Sequence, residues 1–152
     1  MSLVRTRTWR RGLHRGPVSD VRARSFDAPR ERPVPSVLRG RTLSGKAFAT
    51  QLRGLVLVAA VKPNCDGCRD FVGGDLHELV GVRVVVVSAT RSEEWQDARE
   101  RVVIAPEFMA ELEIRSAPYY VLVDSARSKV LAEGALFSPA QVAREIATHV
   151  TP

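Results

Sequence analysis

Cysteine is scarce in this chain. Its 152 residues contain two, Cys65 and Cys68, which excludes the framework of several structural disulfides that staples small secreted domains. Long apolar runs are also missing. No stretch reaches the roughly 20 residues that a transmembrane helix needs, and residues 1–35 lack the apolar segment of about 7–15 residues that marks an export signal. As written, the chain is expected to be cytoplasmic; an anchor ahead of Arg5 would instead make it membrane-associated, with the arginines on the cytoplasmic side. Nor does the folded part carry an excess of positive charge. The formal net charge is +6, but residues 1–32 hold nine arginines against three acids, and residues 33–152 carry fourteen groups of each sign. A nucleic-acid-binding face, which would need clustered Lys and Arg to neutralise phosphates, is therefore not expected on the domain.

The length and the 45% hydrophobic content suit one globular domain with a real core. Residues 1–35 are rich in Arg, Pro and Ser, show no core-facing stripe, and read as a basic flexible extension. Such a segment also suits a place near an anionic membrane. Residues 36–152 form the expected domain. Ser36–Arg39 and Lys46–Thr50 read as a hairpin around Ser44-Gly45. The uninterrupted run from Leu55 to Val61 predicts a strand buried on both faces. A helix is expected from Asp66 to Leu79 with Phe71, Leu76, Leu79 and Val80 inward, weakened at Gly73-Gly74. Val82–Ser88 reads as a second buried strand. Thr90 and Glu93 have capping-box spacing ahead of a polar helix ending near Arg101 and carrying a partly buried Trp95. A short helix over Pro106–Leu112, strands over Tyr119–Asp124 and Lys129–Glu133, and a helix opened by Ser138-Pro139-Ala140-Gln141 complete the order. This alternation predicts an α/β layer structure, with helices on both faces of one central sheet.

The chemistry sits at Cys65-Asp66-Gly67-Cys68. A strand that ends near Lys62, followed by a short turn, places Cys65 at a helix N-terminus. Unpaired N–H groups and the positive end of the helix dipole there stabilise a thiolate. Cys65 is accordingly the expected nucleophile. Cys68, about one turn on and deeper, can attack a mixed disulfide formed on Cys65 and release the reduced partner. Asp66 beside the thiolate opposes the dipole, and Gly67 leaves the turn freer than a proline would. Half of a zinc site has the same Cys spacing, but the chain has no second pair, His77 is close behind on the expected helix, and His14 and His149 lie near the ends. No metal is expected.

Two stretches resemble the thioredoxin superfamily, and more narrowly its TlpA/ResA-like branch, with MauD-like proteins close by. The first runs through Leu43-Ser44-Gly45-Lys46, Leu52-Arg53-Gly54, the apolar strand and Cys65-Asp66-Gly67-Cys68. The second is Leu112-Glu113-Ile114-Arg115-Ser116-Ala117-Pro118-Tyr119-Tyr120-Val121-Leu122-Val123-Asp124, similar to the family's Y-G-V-x-G-T-P-T-x-x-L-V-D segment. The resemblance covers residues 36–150 and implies a thioredoxin fold: a central mixed sheet with helices on both faces and a short N-terminal hairpin extension. It implies a thiol–disulfide oxidoreductase acting on protein thiols and disulfides without an organic cofactor or metal. It also implies a cis bond between Ala117 and Pro118 facing the cysteines, where the backbone before the proline can pair with an extended substrate. This chain departs from the pattern in two places. Asn64 stands where an aromatic residue usually precedes the first cysteine, and the buried acid of thioredoxins falls on Ala59, so proton transfer to the resolving thiol is expected to be slower or to use another group.

Other readings of the pair are a thiol peroxidase, a structural pair, or a binding module in which Cys65 and Cys68, with or without His77, hold a soft ion such as Cu(I). The peroxidase would need a hydroxyl side chain at position 62, where Lys62 stands.

Overall fold

A computed structural model describes residues 29–150 of the chain. Most of the expected basic extension, with Trp9 and His14, lies outside the described residues. The compact domain begins at Glu31, ahead of the boundary expected at residue 36, because Arg32 and Val34 are already buried.

The strands are β1 (Val37–Arg41), β2 (Ala47–Gln51), β3 (Leu55–Val61), β4 (Arg83–Ser88), β5 (Val102–Ile104), β6 (Tyr119–Asp124) and β7 (Lys129–Ala135). The helices are α1 (Asp66–Gly73), α2 (Pro106–Glu111) and α3 (Pro139–Ile146). One seven-stranded sheet runs in the order β2-β1-β5-β4-β3-β6-β7. β3, β4 and β5 are mutually parallel, while β6 and β7 continue antiparallel on one side and the β1–β2 hairpin on the other.

The unbroken apolar run of β3 is explained by its central place. Val56, Val58 and Ala60 face a core under α2, with Phe108, Met109 and Leu112. Leu57, Ala59 and Val61 face the opposite core with Phe71 and Val72 of α1 and Val142 and Ile146 of α3. Both faces of a central α/β strand are dry, so alternation of polar and apolar residues has no place in it. The architecture expected of the sequence is therefore present: a mixed sheet, helices on both faces and an N-terminal hairpin.

Local expectations differ in several places. α1 stops at Gly73, and Gly74 takes an extended conformation as its C-cap; two glycines in succession end the helix where one would only have weakened it. Val80 consequently points outward, at 74% exposure, while Leu79 stays buried. The polar helix expected after Thr90 is a single 3-10 turn, Glu93–Trp95, capped by Ser92, and Trp95 is fully buried. Beyond it the chain adds β5, which pairs with β4. The final helix starts as expected: Ser138 and Gln141 form a reciprocal capping box with Pro139 in the first turn. Among the described residues, no helix is long and apolar enough to cross a membrane.

Candidate active site

β3 ends at Val61. Lys62 and Pro63 then turn the chain, and Asn64 takes a positive φ of 58°, a left-handed conformation that asparagine tolerates better than most side chains. Cys65 follows in an extended conformation as the N-cap of α1. Its Sγ accepts the N–H of Cys68 at 3.2 Å, and its carbonyl accepts the N–H of Arg69 at 3.0 Å. A sulfur here fills the capping role usually taken by Ser, Thr, Asp or Asn.

Cys65 and Cys68 are joined as a disulfide with their Cα atoms 5.2 Å apart. The two sulfurs are not equivalent. Cys68 is completely buried in the core that holds Phe71, Val72 and the Leu57, Ala59 and Val61 side chains of β3, and its Sγ accepts the backbone N–H of Lys62 at 3.4 Å. Cys65 is only half-buried. An incoming group can therefore approach Cys65 while Cys68 is sheltered and already held by a donor.

A charged network surrounds the turn. Glu94, on the 3-10 turn, accepts the N–H of Asn64 at 2.9 Å and the Arg69 guanidinium at 3.0 Å. Arg69 also pairs with Asp66 in the first turn of α1. The Asn64 N–H, and after it the Arg69 guanidinium, hold the Glu94 carboxyl below its usual range; the bond to Glu94 in turn raises Arg69. Neither Glu94 nor Arg69 was legible as part of the site, since Glu94 lies 30 residues from Asn64 in sequence and no motif marks it. Gly67 lies in the first turn of α1, and a Cβ there would meet open space.

Ala117 and Pro118 arrive from the other side. β6 runs antiparallel to β3 with Tyr119 opposite Ala60, so the start of β6 lies beside the end of β3. The Ala117–Pro118 bond is cis. Ala117 and Lys62 line one cavity of about 300 Å³, which brings the loop before β6 to the loop before Cys65. Ala59 is buried in the same core as Cys68, across from Tyr120. Burial pushes the Tyr120 phenol upward, as does its 2.7 Å hydrogen bond to Glu145 on α3.

His77 falls beyond the end of α1, exposed and paired with Asp75. Among the described residues, no three His, Cys, Asp or Glu side chains converge into a set that could hold a metal ion. His77 is thus not grouped with Cys65 and Cys68 among the described residues.

No family model matches the chain, and no curated protein matches it in sequence. Solved structures do match. The thioredoxin domain of a thiol-disulfide oxidoreductase from Bacteroides vulgatus is 19% identical, with a TM-score of 0.58 over 82% of this chain and 100% of that one. StoA from Bacillus subtilis is 16% identical, with a TM-score of 0.56 over 74% of this chain and 98% of its own. A DsbF homologue from Corynebacterium diphtheriae is 19% identical, with a TM-score of 0.58 over 82% and 90% of the two chains. At these identities the likeness speaks to architecture, and together with the sheet order and the cysteine-capped helix it establishes that this chain has the thioredoxin fold.

Proposed function

We propose that the chain is a thiol–disulfide oxidoreductase whose substrates are protein thiols and disulfides. The observation that carries this reading is the asymmetry of the pair: a half-buried Cys65 at the helix N-terminus, bonded to a fully buried Cys68 that accepts the Lys62 N–H. In the oxidising direction, a substrate thiolate attacks Cys65 Sγ. The bond between Cys65 and Cys68 breaks, and Cys68 leaves as a thiolate stabilised by the Lys62 N–H. A second substrate thiolate then attacks the substrate sulfur of the mixed disulfide, and Cys65 leaves. The reducing direction is the reverse, with Cys65 attacking and Cys68 resolving. Ala117 and Pro118 border the site on the substrate side, and Asn64, Asp66 and Gly67 shape the turn that presents Cys65.

Neighbouring folds support the reading, since the similar structures include proteins described as thiol-disulfide oxidoreductases and thiol:disulfide interchange proteins. The Arg-rich residues ahead of the domain suit an anionic membrane surface and complete the proposal as an N-terminal extension.

The test is exchange with glutathione and with a model protein disulfide. Cys65→Ser is expected to abolish turnover, whereas Cys68→Ser should accumulate a mixed disulfide on Cys65 that mass spectrometry detects. Wild-type protein that forms no reversible internal disulfide, or a Cys65→Ser variant that retains turnover, would remove the proposal.

A further inference from the structure

The cavity of about 300 Å³ between Lys62 and Ala117 lies at the small end of the range for ligand pockets, about 300–1,000 Å³. It can take one or two side chains of a polypeptide. Its position is informative. It opens between Lys62, whose own N–H touches Cys68 Sγ, and Ala117 at the mouth of β6. Lys62 leads into the turn that carries Cys65, and Ala117 precedes the cis Pro118, so the cavity borders both segments that frame the site.

The lining is chemically one-sided. Met109, Ile114 and Val61 make an apolar wall, Lys62 and Arg115 supply positive charge, and no acidic residue lines it among the described residues. Lys62 is exposed and has no ion-pair partner among the described residues. Arg115 is 78% exposed and lies 3.8 Å from Glu113, a separation that leaves most of its guanidinium donors open to a ligand. Asp66 and Glu94, at the active-site turn, are instead tied to Arg69. The larger cavity, about 900 Å³ between β1 and α2, is lined by Arg39 and Arg41 but also by Glu107 and Glu111 and does not include any residue of the active-site turn.

We propose that this cavity is a specificity site that receives residues flanking the substrate's reacting cysteine, and that Lys62 and Arg115 select acidic ones. The proposal rests on the exchange reaction proposed above and names its substrate class: cysteines set in acidic, partly apolar sequence. Because both cations sit at the solvent edge, their effect falls on encounter and orientation and weakens with salt.

Three symmetric peptide disulfides test it, each made from two copies of Gly-X-Cys-X-Gly with X as Glu, Ala or Lys. Cys65 of the reduced protein attacks the peptide disulfide and expels one peptide thiolate. Cys68 then attacks Cys65 Sγ and expels the second, so two electrons pass from protein to peptide. The rate is read from the loss of free protein thiols. The expected order is Glu above Ala above Lys, with Glu and Lys separated by about tenfold at low salt and converging at high salt. In a Lys62→Glu, Arg115→Glu double variant the ratio should invert, and a ratio of rates cancels any change in intrinsic thiol reactivity. Equal rates for the three peptides, a Lys preference in the wild type, or a Glu preference that survives the double variant would overturn the specificity site while leaving the exchange reaction standing. Failure of all three peptides, with glutathione also inert, would remove both.

Discussion

Asn64 precedes the proposed nucleophile in a left-handed conformation, and its N–H is held by the Glu94 carboxylate, which Arg69 binds from the other side. A carboxylate whose pKa is lowered in the folded state contributes stability that is fully present above its unfolded value and is lost as pH falls through its folded value. The window for Glu94 therefore lies on the acid side, below the ordinary carboxylate range. The Asn64 amide is expected to report it: its chemical shift should titrate with a midpoint below the ordinary glutamate value and stop titrating there in Glu94→Gln, which keeps an acceptor but loses the proton equilibrium. An Asn64 shift that does not follow Glu94 would detach this side chain from the turn. At the same scale, the placement of Cys65 at a helix start with Cys68 one turn deeper was legible in the sequence, because a buried strand followed by a short turn differentiates two positions three residues apart. Glu94 was not, because its role depends on a contact between distant segments that no local pattern encodes.

The strands on either side of the site differ in how they are specified. β3 and β6 are written as apolar runs, and their limits agree closely with the expected ones. β5, by contrast, has three residues, too few to show a period, and exists because β4 on one side and β1 on the other offer it ladders. Gly40 makes that junction possible. A Cβ at Gly40 would stand 2.5 Å from the carbonyl oxygen of Ile104 and 2.7 Å from a Val103 methyl carbon, and the first of these is backbone that cannot rotate away. Gly40→Ala is expected to destabilise the domain by about 1–3 kcal/mol, the usual range for forced overpacking, with urea denaturation as the measurement. An unchanged midpoint would mean that β1 and β5 separate at no cost. The hairpin belongs to the fold through this contact, which neither strand's own sequence announces.

Across the whole molecule, the beginning of the domain is fastened to its far side by one buried guanidinium. Arg32 binds both carboxylate oxygens of Glu133 on β7, at 2.8 and 2.9 Å, and donates through Nε to the carbonyl of Leu112 at 2.8 Å. Tyr119, the first residue of β6, donates to the same carboxylate at 2.8 Å. The Arg32 and Glu133 side chains are 1% and 6% exposed. Removing one member of such a pair strands the other in a dry environment and typically costs about 3–5 kcal/mol. Arg32→Ala should show a loss of that order in urea denaturation, and the Arg32→Ala, Glu133→Gln double variant should lose less than the two single losses combined. A loss within the surface range of about 0.5 kcal/mol would mean that residues ahead of β1 dock without consequence for the domain. Composition pointed the other way, grouping Arg32 with the basic extension because it follows a line of arginines. Burial and a partner 101 residues away override that grouping.

The sequence by itself determined the features that repeat locally or sit within one turn of each other: the buried central strands, the cysteine pair at a helix start, the cap of α3, and the order of elements that leads to a mixed sheet. These follow from side-chain periodicity and from backbone hydrogen bonds satisfied within a few residues. Only the tertiary structure decided which carboxylate holds the turn, what charge lines the cavity, and where the domain begins. Each of those depends on groups brought together by packing across the sheet, where desolvation and charge pairing act through space rather than along the chain.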